Sequence, residues 1–236
     1  LVIILVWIRT KICTKQVLRV CSSVKLKNKN KVITVYLNNP SDLGVFREIF
    51  YNEEYKLDLK DPKIIFDLGS NIGLSIIYFH LKYPNAKIYG FEPDPRAFKS
   101  LEKNTKNLNG VCIFNFALSD KNEKQKFYAH SEYTASSSFT KREDDNDYIM
   151  IDSKTLDTIM LDSSIKYIDL LKFDIEGGEE AVFKSFKNIK NVKNIIGEVH
   201  LDLMDIPKDD FIALFDGSEI NTDWQTKNRF IFKSTK

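Results

Sequence analysis

The stretch that most constrains this chain is IIFDLGSNIGLS at residues 64–75. It opens as a buried strand and ends as a helix, with Asp67-Leu-Gly69-Ser-Asn-Ile-Gly73 between them. A strand that passes through a glycine turn into a helix begins a right-handed crossover, and the next strand then lies parallel to the first. The rest of the sequence repeats the pattern. Segments 64–68, 87–92, 111–115, 170–174, 194–199 and 229–233 read as strands, and 74–83, 95–107, 179–186 and 209–215 as helices. This alternation predicts an α/β fold with a mostly parallel sheet, whose ligands bind at the carboxyl ends of the strands.

Residues 62–236 hold the regular pattern, and residues 1–61 read as an N-terminal cap packed on it. Within the cap, KVITVYL (31–37) alternates like a half-buried strand, and 41–55 carries apolar residues at 43, 46, 49 and 50, a helical spacing. Residues 119–150 interrupt the core alternation. A short strand is expected near 126–129 and a second closing at Ile151, followed by a short helix at 155–161. Tyr133, Ser136, Ser137, Ser138 and Phe139 of this insertion sit on the edge of the sheet where they would cover a ligand. The opening LVIILVWI is too short to span a bilayer, which takes about 20 residues. It reads as a strand or packed arm, with membrane attachment through residues 1–11 as the alternative to a cytoplasmic protein. The three cysteines, Cys13, Cys21 and Cys112, show no CxxC spacing, so neither a disulfide framework nor a zinc site is expected. Thirty-five basic against 33 acidic residues leave a charge of +2, which gives no pull toward nucleic acid.

The glycine turn is not a dinucleotide fingerprint. Asn71 stands where G-x-G-x-x-G needs its second glycine, and no Gly-Lys-Ser/Thr is present, so close approach of a pyrophosphate is disfavoured. Asp67, at the end of the strand, repels phosphate but suits an ammonium group. Glu92 ends the second strand, where a carboxylate accepts hydrogen bonds from a ribose diol. A ligand with a ribose, a cationic amino-acid end and no phosphate meets these conditions, and S-adenosylmethionine is such a ligand.

Acids gather further on. Asp174 and Glu176 follow the strand LLKF, and share a face if that strand persists through them. Glu198 and His200 end the next strand with the same spacing. Several acids at one sheet edge are costly unless paired, protonated or metal-bound. His200 titrates near neutrality and is a candidate to take a proton from a hydroxyl, with Asp174 as the other. A divalent metal such as magnesium or manganese on Asp174, Glu198 and His200 is an alternative, although no metal is predicted. Glu179 and Glu180 read as acids placed at a helix N-terminus.

FDLGSNIGLS, GFEPDP, FNFALSD, LLKFDIEGGEEAVF and GEVH stand in the order and spacing of the FkbM-type methyltransferases, which the chain resembles from about residue 41 onward. The resemblance implies a class I methyltransferase (Rossmann-like) fold. Its seven-stranded sheet would be mostly parallel with the last strand antiparallel, and helices would flank it. It implies methyl transfer from S-adenosylmethionine, usually to an oxygen of a sugar or other small molecule. By resemblance Asp67, Gly69, Ser70, Asn71 and Gly73 lie along the methionine part and Glu92 holds the ribose. Phe116 and Ala117 meet adenine, assisted by Ser119. Asp174 and Glu176 border the reacting methyl, Asp174 also touching the cofactor. Two rival readings stand beside it. One is a catalytically silent nucleoside-binding module. The other is a nicotinamide-dependent oxidoreductase, against which Asn71 and Asp67 argue.

Overall fold

A computed structural model describes residues 4–11, 21–28, 31–128, 148–215 and 217–235. Strands β1 (Ile4–Lys11), β2 (Cys21–Asn28) and β3 (Lys31–Leu37) form an antiparallel sheet in that order. Helix α1 (Pro40–Phe50) follows. Its start is a capping box: Asn39 Oδ1 accepts from the Asp42 amide at 3.0 Å, and the Asp42 carboxylate accepts from the Asn39 amide at 3.3 Å. Asn39→Ala is expected to lower stability by about 1 kcal/mol, read as a shifted urea midpoint at unchanged slope.

The core runs β4 (Ile64–Leu68), α2 (Leu74–Lys82), β5 (Lys87–Phe91), α3 (Pro95–Thr105) and β6 (Val111–Phe114). A small three-stranded unit follows from β7 (Ala117–Leu118), β8 (Lys124–Phe127) and β9 (Ile149–Lys154). Then come α4 (Leu156–Asp162), β10 (Leu170–Phe173), α5 (Glu179–Ser185), β11 (Asn194–His200), α6 (Lys208–Ala213), β12 (Glu219–Trp224) and β13 (Arg229–Thr235). The main sheet is ordered β12-β13-β11-β10-β4-β5-β6. Its central pairings are parallel, and β13 runs antiparallel to both neighbours. The expected sheet is therefore present, and the order turns around between β4 and β10, where ligands bind in such folds.

Alternation along the strands divides the core into two layers. Ile65, Ile88, Leu170 and Ile196 face α2, α3 and the N-terminal sheet. Phe66, Phe91, Leu171 and Phe173 face α4, α5 and α6. The N-terminal sheet is anchored by Asn104, whose Oδ1 accepts from the Tyr36 amide at 2.8 Å and whose Nδ2 donates to the carbonyls of Tyr36 and Ile72.

Some expectations change. The apolar arm is a strand, as read, and forms β1 of an antiparallel sheet, whereas β2 and β12 are strands that the sequence pattern did not reveal. β10 stops at Phe173, because Glu176 and Gly177 take positive φ and turn the chain. The premise that one strand aligns Asp174 and Glu176 therefore does not hold. Tyr133, Ser136–138 and Phe139 lie outside the described residues, as does Cys13; Cys112 is a free thiol. Among the described residues no helix is long and apolar enough to cross a membrane.

Candidate functional site

A cleft of about 1070 Å³, counting its open mouth, lies at the carboxyl ends of β4, β5, β10 and β11. The glycine turn after β4 forms its floor. The amides of Gly69 and Ser70 both donate to the Phe91 carbonyl at 3.0 Å, which pins the turn to β5. The two glycines have separate structural reasons. Gly69 has φ +74°, and a Cβ there would fall 1.8 Å from the Asp174 carbonyl oxygen, so the turn and the end of β10 touch backbone to backbone. Gly73 has φ +92°, and its missing Cβ makes room for Leu101 and Thr105 of α3. Asn71 sits at φ +44°, a left-handed position that asparagine tolerates.

Asp67 lies beneath the floor, fully buried. Its Oδ1 is 3.1 Å from Nζ of Lys172, also buried, and its Oδ2 accepts from Ser75 Oγ at 2.6 Å. The ammonium that this aspartate meets is therefore the chain's own. Lys172 Nζ also donates to the Gly69 carbonyl at 2.8 Å and lies 5.4 Å from the centre of the Tyr55 ring.

Glu92 lines the cleft beside the turn. Its Oε2 accepts from the Asn71 amide and its Oε1 from the Asp94 amide, each at 2.8 Å. Burial pushes its pKa up to about 8, against the pull of these two bonds. An ionised carboxylate has about four lone-pair sites, so two remain for a ligand. Phe116 and Ala117 form the adjoining apolar wall, with Phe116 packed against Phe91 and Phe114 at 5.6 and 5.7 Å. Ser119 is buried behind that wall, donating to Asp120 at 3.1 Å and accepting from Gln125 at 2.9 Å.

Across the cleft, the acids surround His200. Its Nδ1 is 2.8 Å from Glu179 Oε1, both side chains fully buried. Its Nε2 faces Asp174 at 3.9 Å, Glu176 at 3.7 Å and Glu198 at 3.7 Å. Burial opposes a charge on this ring, but the Glu179 hydrogen bond and the surrounding acids outweigh it and raise the pKa to about 10. Burial, with Asp174 nearby, raises Glu198 to about 8. The roof comes from the N-terminal segment. Tyr55 donates to Asp174 Oδ2 at 3.3 Å, and burial lifts Glu54 to about 7.

Of the residues expected at the site, Gly69, Ser70, Asn71, Glu92, Phe116, Ala117, Asp174 and Glu176 line one cleft. Asp67, Gly73, Ser119 and His200 stand behind its walls. Glu54, Tyr55 and Lys172 line it and were not expected there. Lys172 carried a signal, since LLKFD sets a lysine inside an otherwise apolar buried strand. Tyr55, 119 residues from Asp174, carried none.

Residues 67–216, well over half of the chain, match the methyltransferase FkbM domain. The chain is 29% identical over 157 residues to the 2-O-methyltransferase NoeI of Sinorhizobium fredii, a match covering 60% of this chain and 63% of that protein. It resembles the crystal structure of methyltransferase FkbM from Methylobacillus flagellatus with a TM-score of 0.52 and 13% identity, over 78% of this chain and 47% of that one. It also resembles Aeropyrum pernix fibrillarin, solved with natively bound S-adenosyl-L-methionine, with a TM-score of 0.51 and 12% identity, over 92% and 90% of the two chains. At these identities the solved structures establish the fold, that of the class I S-adenosylmethionine-dependent methyltransferases. The chain thus spans somewhat under two thirds of the curated relative and about half of the first solved one.

Proposed function

The chain belongs to the FkbM methyltransferase family, and from that premise we propose that it moves a methyl group from S-adenosylmethionine to a hydroxyl oxygen of a small molecule, a sugar being one such acceptor. The observation that carries this reading is a single cleft with a phosphate-free glycine turn and Glu92 on one side and Asp174, Glu176 and Glu198 on the other. The relative named a 2-O-methyltransferase supports oxygen as the acceptor atom.

The residues present fit the cofactor. Lys172 lies at the floor, but its ammonium is committed to Asp67 and the turn carbonyls, so no lysine there is left to favour a phosphate. The two remaining acceptor sites of Glu92 suit a ribose diol, and the flat faces beside Phe116 and Ala117 suit adenine. Asp174 and Glu176 place negative charge where a sulfonium would sit. S-adenosylmethionine supplies a methyl group already activated on that sulfonium. What the chain adds is alignment and exclusion of water, which can take about 7–11 kcal/mol off the barrier of a well-oriented transfer. Asp174 and Glu176 accept hydrogen bonds from the acceptor. His200, behind the wall, is a positioning residue that holds these acids in place. Glu54 lines the same cleft as Asp174, and with its pKa raised by burial to about 7 it stands beside Asp174 as a candidate to receive the acceptor's proton.

Calorimetry with S-adenosylmethionine tests the reading first: saturable binding is expected, and its absence sinks the proposal. A panel of hydroxylated acceptors tests it second, and binding without turnover would make the chain a silent nucleoside-binding module. Adenosine supplies a pH test, since it has no group of its own that titrates near neutrality. Its ribose is held best by ionised Glu92, and the ionised fraction grows as pH rises through about 8. Adenosine affinity is therefore expected to rise by roughly 20- to 30-fold between pH 6.5 and 8.5, and the profile is expected to be flat and weak in Glu92→Gln.

A further inference from the structure

We propose that Asp174, Glu198 and Nε2 of His200 form a binding site for a divalent cation of the manganese or magnesium kind. The donors have the spacing of ligands around one ion. The three groups offer atoms that all lie within 4.8 Å of one another. Nε2 stands 3.9 Å from Asp174 Oδ1 and 3.7 Å from Glu198 Oε2, beyond hydrogen-bond reach. Two ligands bonded to one ion at about 2.1–2.2 Å each can stand up to about 4.2–4.4 Å apart. The gap between His200 and the two acids is therefore the size of a cation. Glu176 Oε1, 3.7 Å from the same nitrogen, is a fourth donor within reach.

The second observation is independent of the acids. His200 is fully buried, and its Nε2 has no hydrogen-bond partner among the described residues. Its other nitrogen is held by Glu179 Oε1 at 2.8 Å, and a bound ion would displace the proton that the surrounding acids keep on Nε2 in its absence. A carboxylate on one ring nitrogen, with the second nitrogen aimed into a ring of oxygens, is the arrangement that orients a metal-ligating imidazole. Glu179 thus has a positioning task that helix capping does not explain. Two or three carboxylates with one imidazole form a hard donor set, and the imidazole favours manganese over magnesium. The site borders the cleft through Asp174, Glu176 and Glu198. There a bound ion would present an acceptor oxygen beside the cofactor. That role rests on the methyltransferase reading; the binding of the ion does not.

The test is a titration of the full chain with manganese(II), following loss of the paramagnetic resonance signal of the free hydrated ion. One ion per chain is expected, together with a raised Tm. Affinity should fall by more than about tenfold in Glu198→Gln and in His200→Gln, and by about 10- to 100-fold in Glu179→Gln, which touches only the far ring nitrogen. Circular dichroism certifies that each variant is folded, and binding of S-adenosylhomocysteine is followed separately by calorimetry. The proposal is overturned if the wild-type chain leaves the free-ion signal and its Tm unchanged at millimolar manganese. It is equally overturned if folded Glu198→Gln and His200→Gln bind the ion as the wild type does. A chain that takes up manganese but not the nucleoside would keep this site and sink the methyltransferase reading, and the reverse result would do the opposite.

Discussion

Gly69→Ala is expected to weaken S-adenosylmethionine binding by about 100-fold or more and to destabilise the chain by about 3 kcal/mol. The cause is steric and lies outside the cofactor. The new Cβ would stand 1.8 Å from the Asp174 carbonyl oxygen, a backbone atom that cannot rotate aside. Either the turn or the end of β10 must shift by more than 1 Å, by the usual spacing of nonbonded heavy atoms. The φ of +74° adds the strain of a left-handed alanine. A displaced turn loses its bonds to the Phe91 carbonyl, and Asn71 loses its register with Glu92. Gly44→Ala is the matched control. Gly44 lies within α1 with nothing within 4 Å of its would-be Cβ, so alanine there should stabilise by about 0.5–1 kcal/mol through helix propensity. Equal effects at the two positions in denaturation and calorimetry would refute the backbone-contact account.

Lys172→Met should destabilise the chain by about 3–5 kcal/mol, the usual cost of stranding one partner of a buried ion pair. Asp67 would keep Ser75 Oγ at 2.6 Å but lose the cation at 3.1 Å, at a site buried from solvent. The Gly69 carbonyl would lose its donor at the same time, so nucleoside binding is expected to fall together with stability. The double variant Asp67→Asn/Lys172→Met removes both charges and should recover much of the stability while leaving binding weak. A double-mutant cycle measures this directly. If the single and double variants were equally unstable, Lys172 would be contributing packing rather than charge.

The carboxylate cluster shows how far one sequence can be read. Asp174, Glu176, Glu198 and His200 stood out as ionisable groups at the ends of two strands, and the fold does bring them together. Glu179, the nearest of the four acids around His200, read as an ordinary acid of a helix N-terminus, because its bond to Nδ1 joins α5 to β11 and leaves no trace in either local pattern. β2 and β12 escaped for another reason. CSSVKLKN and EINTDW carry too few apolar residues to show a clear strand period, and β12 is an edge strand with one face in solvent.

The sequence by itself determined most elements of the core, their parallel course through the crossovers, and the lack of a dinucleotide or Gly-Lys-Ser/Thr fingerprint in the first turn. These follow from local rules: side-chain period, glycine at positive φ, and the absence of further glycines or a lysine in the turn. Only the tertiary structure decided what each glycine makes room for, that Asp67 is answered by Lys172, and that Glu54 and Tyr55 close the cleft. Such assignments depend on which surfaces of distant segments meet. A chain encodes that meeting through the packing of the whole core, and no window along it carries the answer.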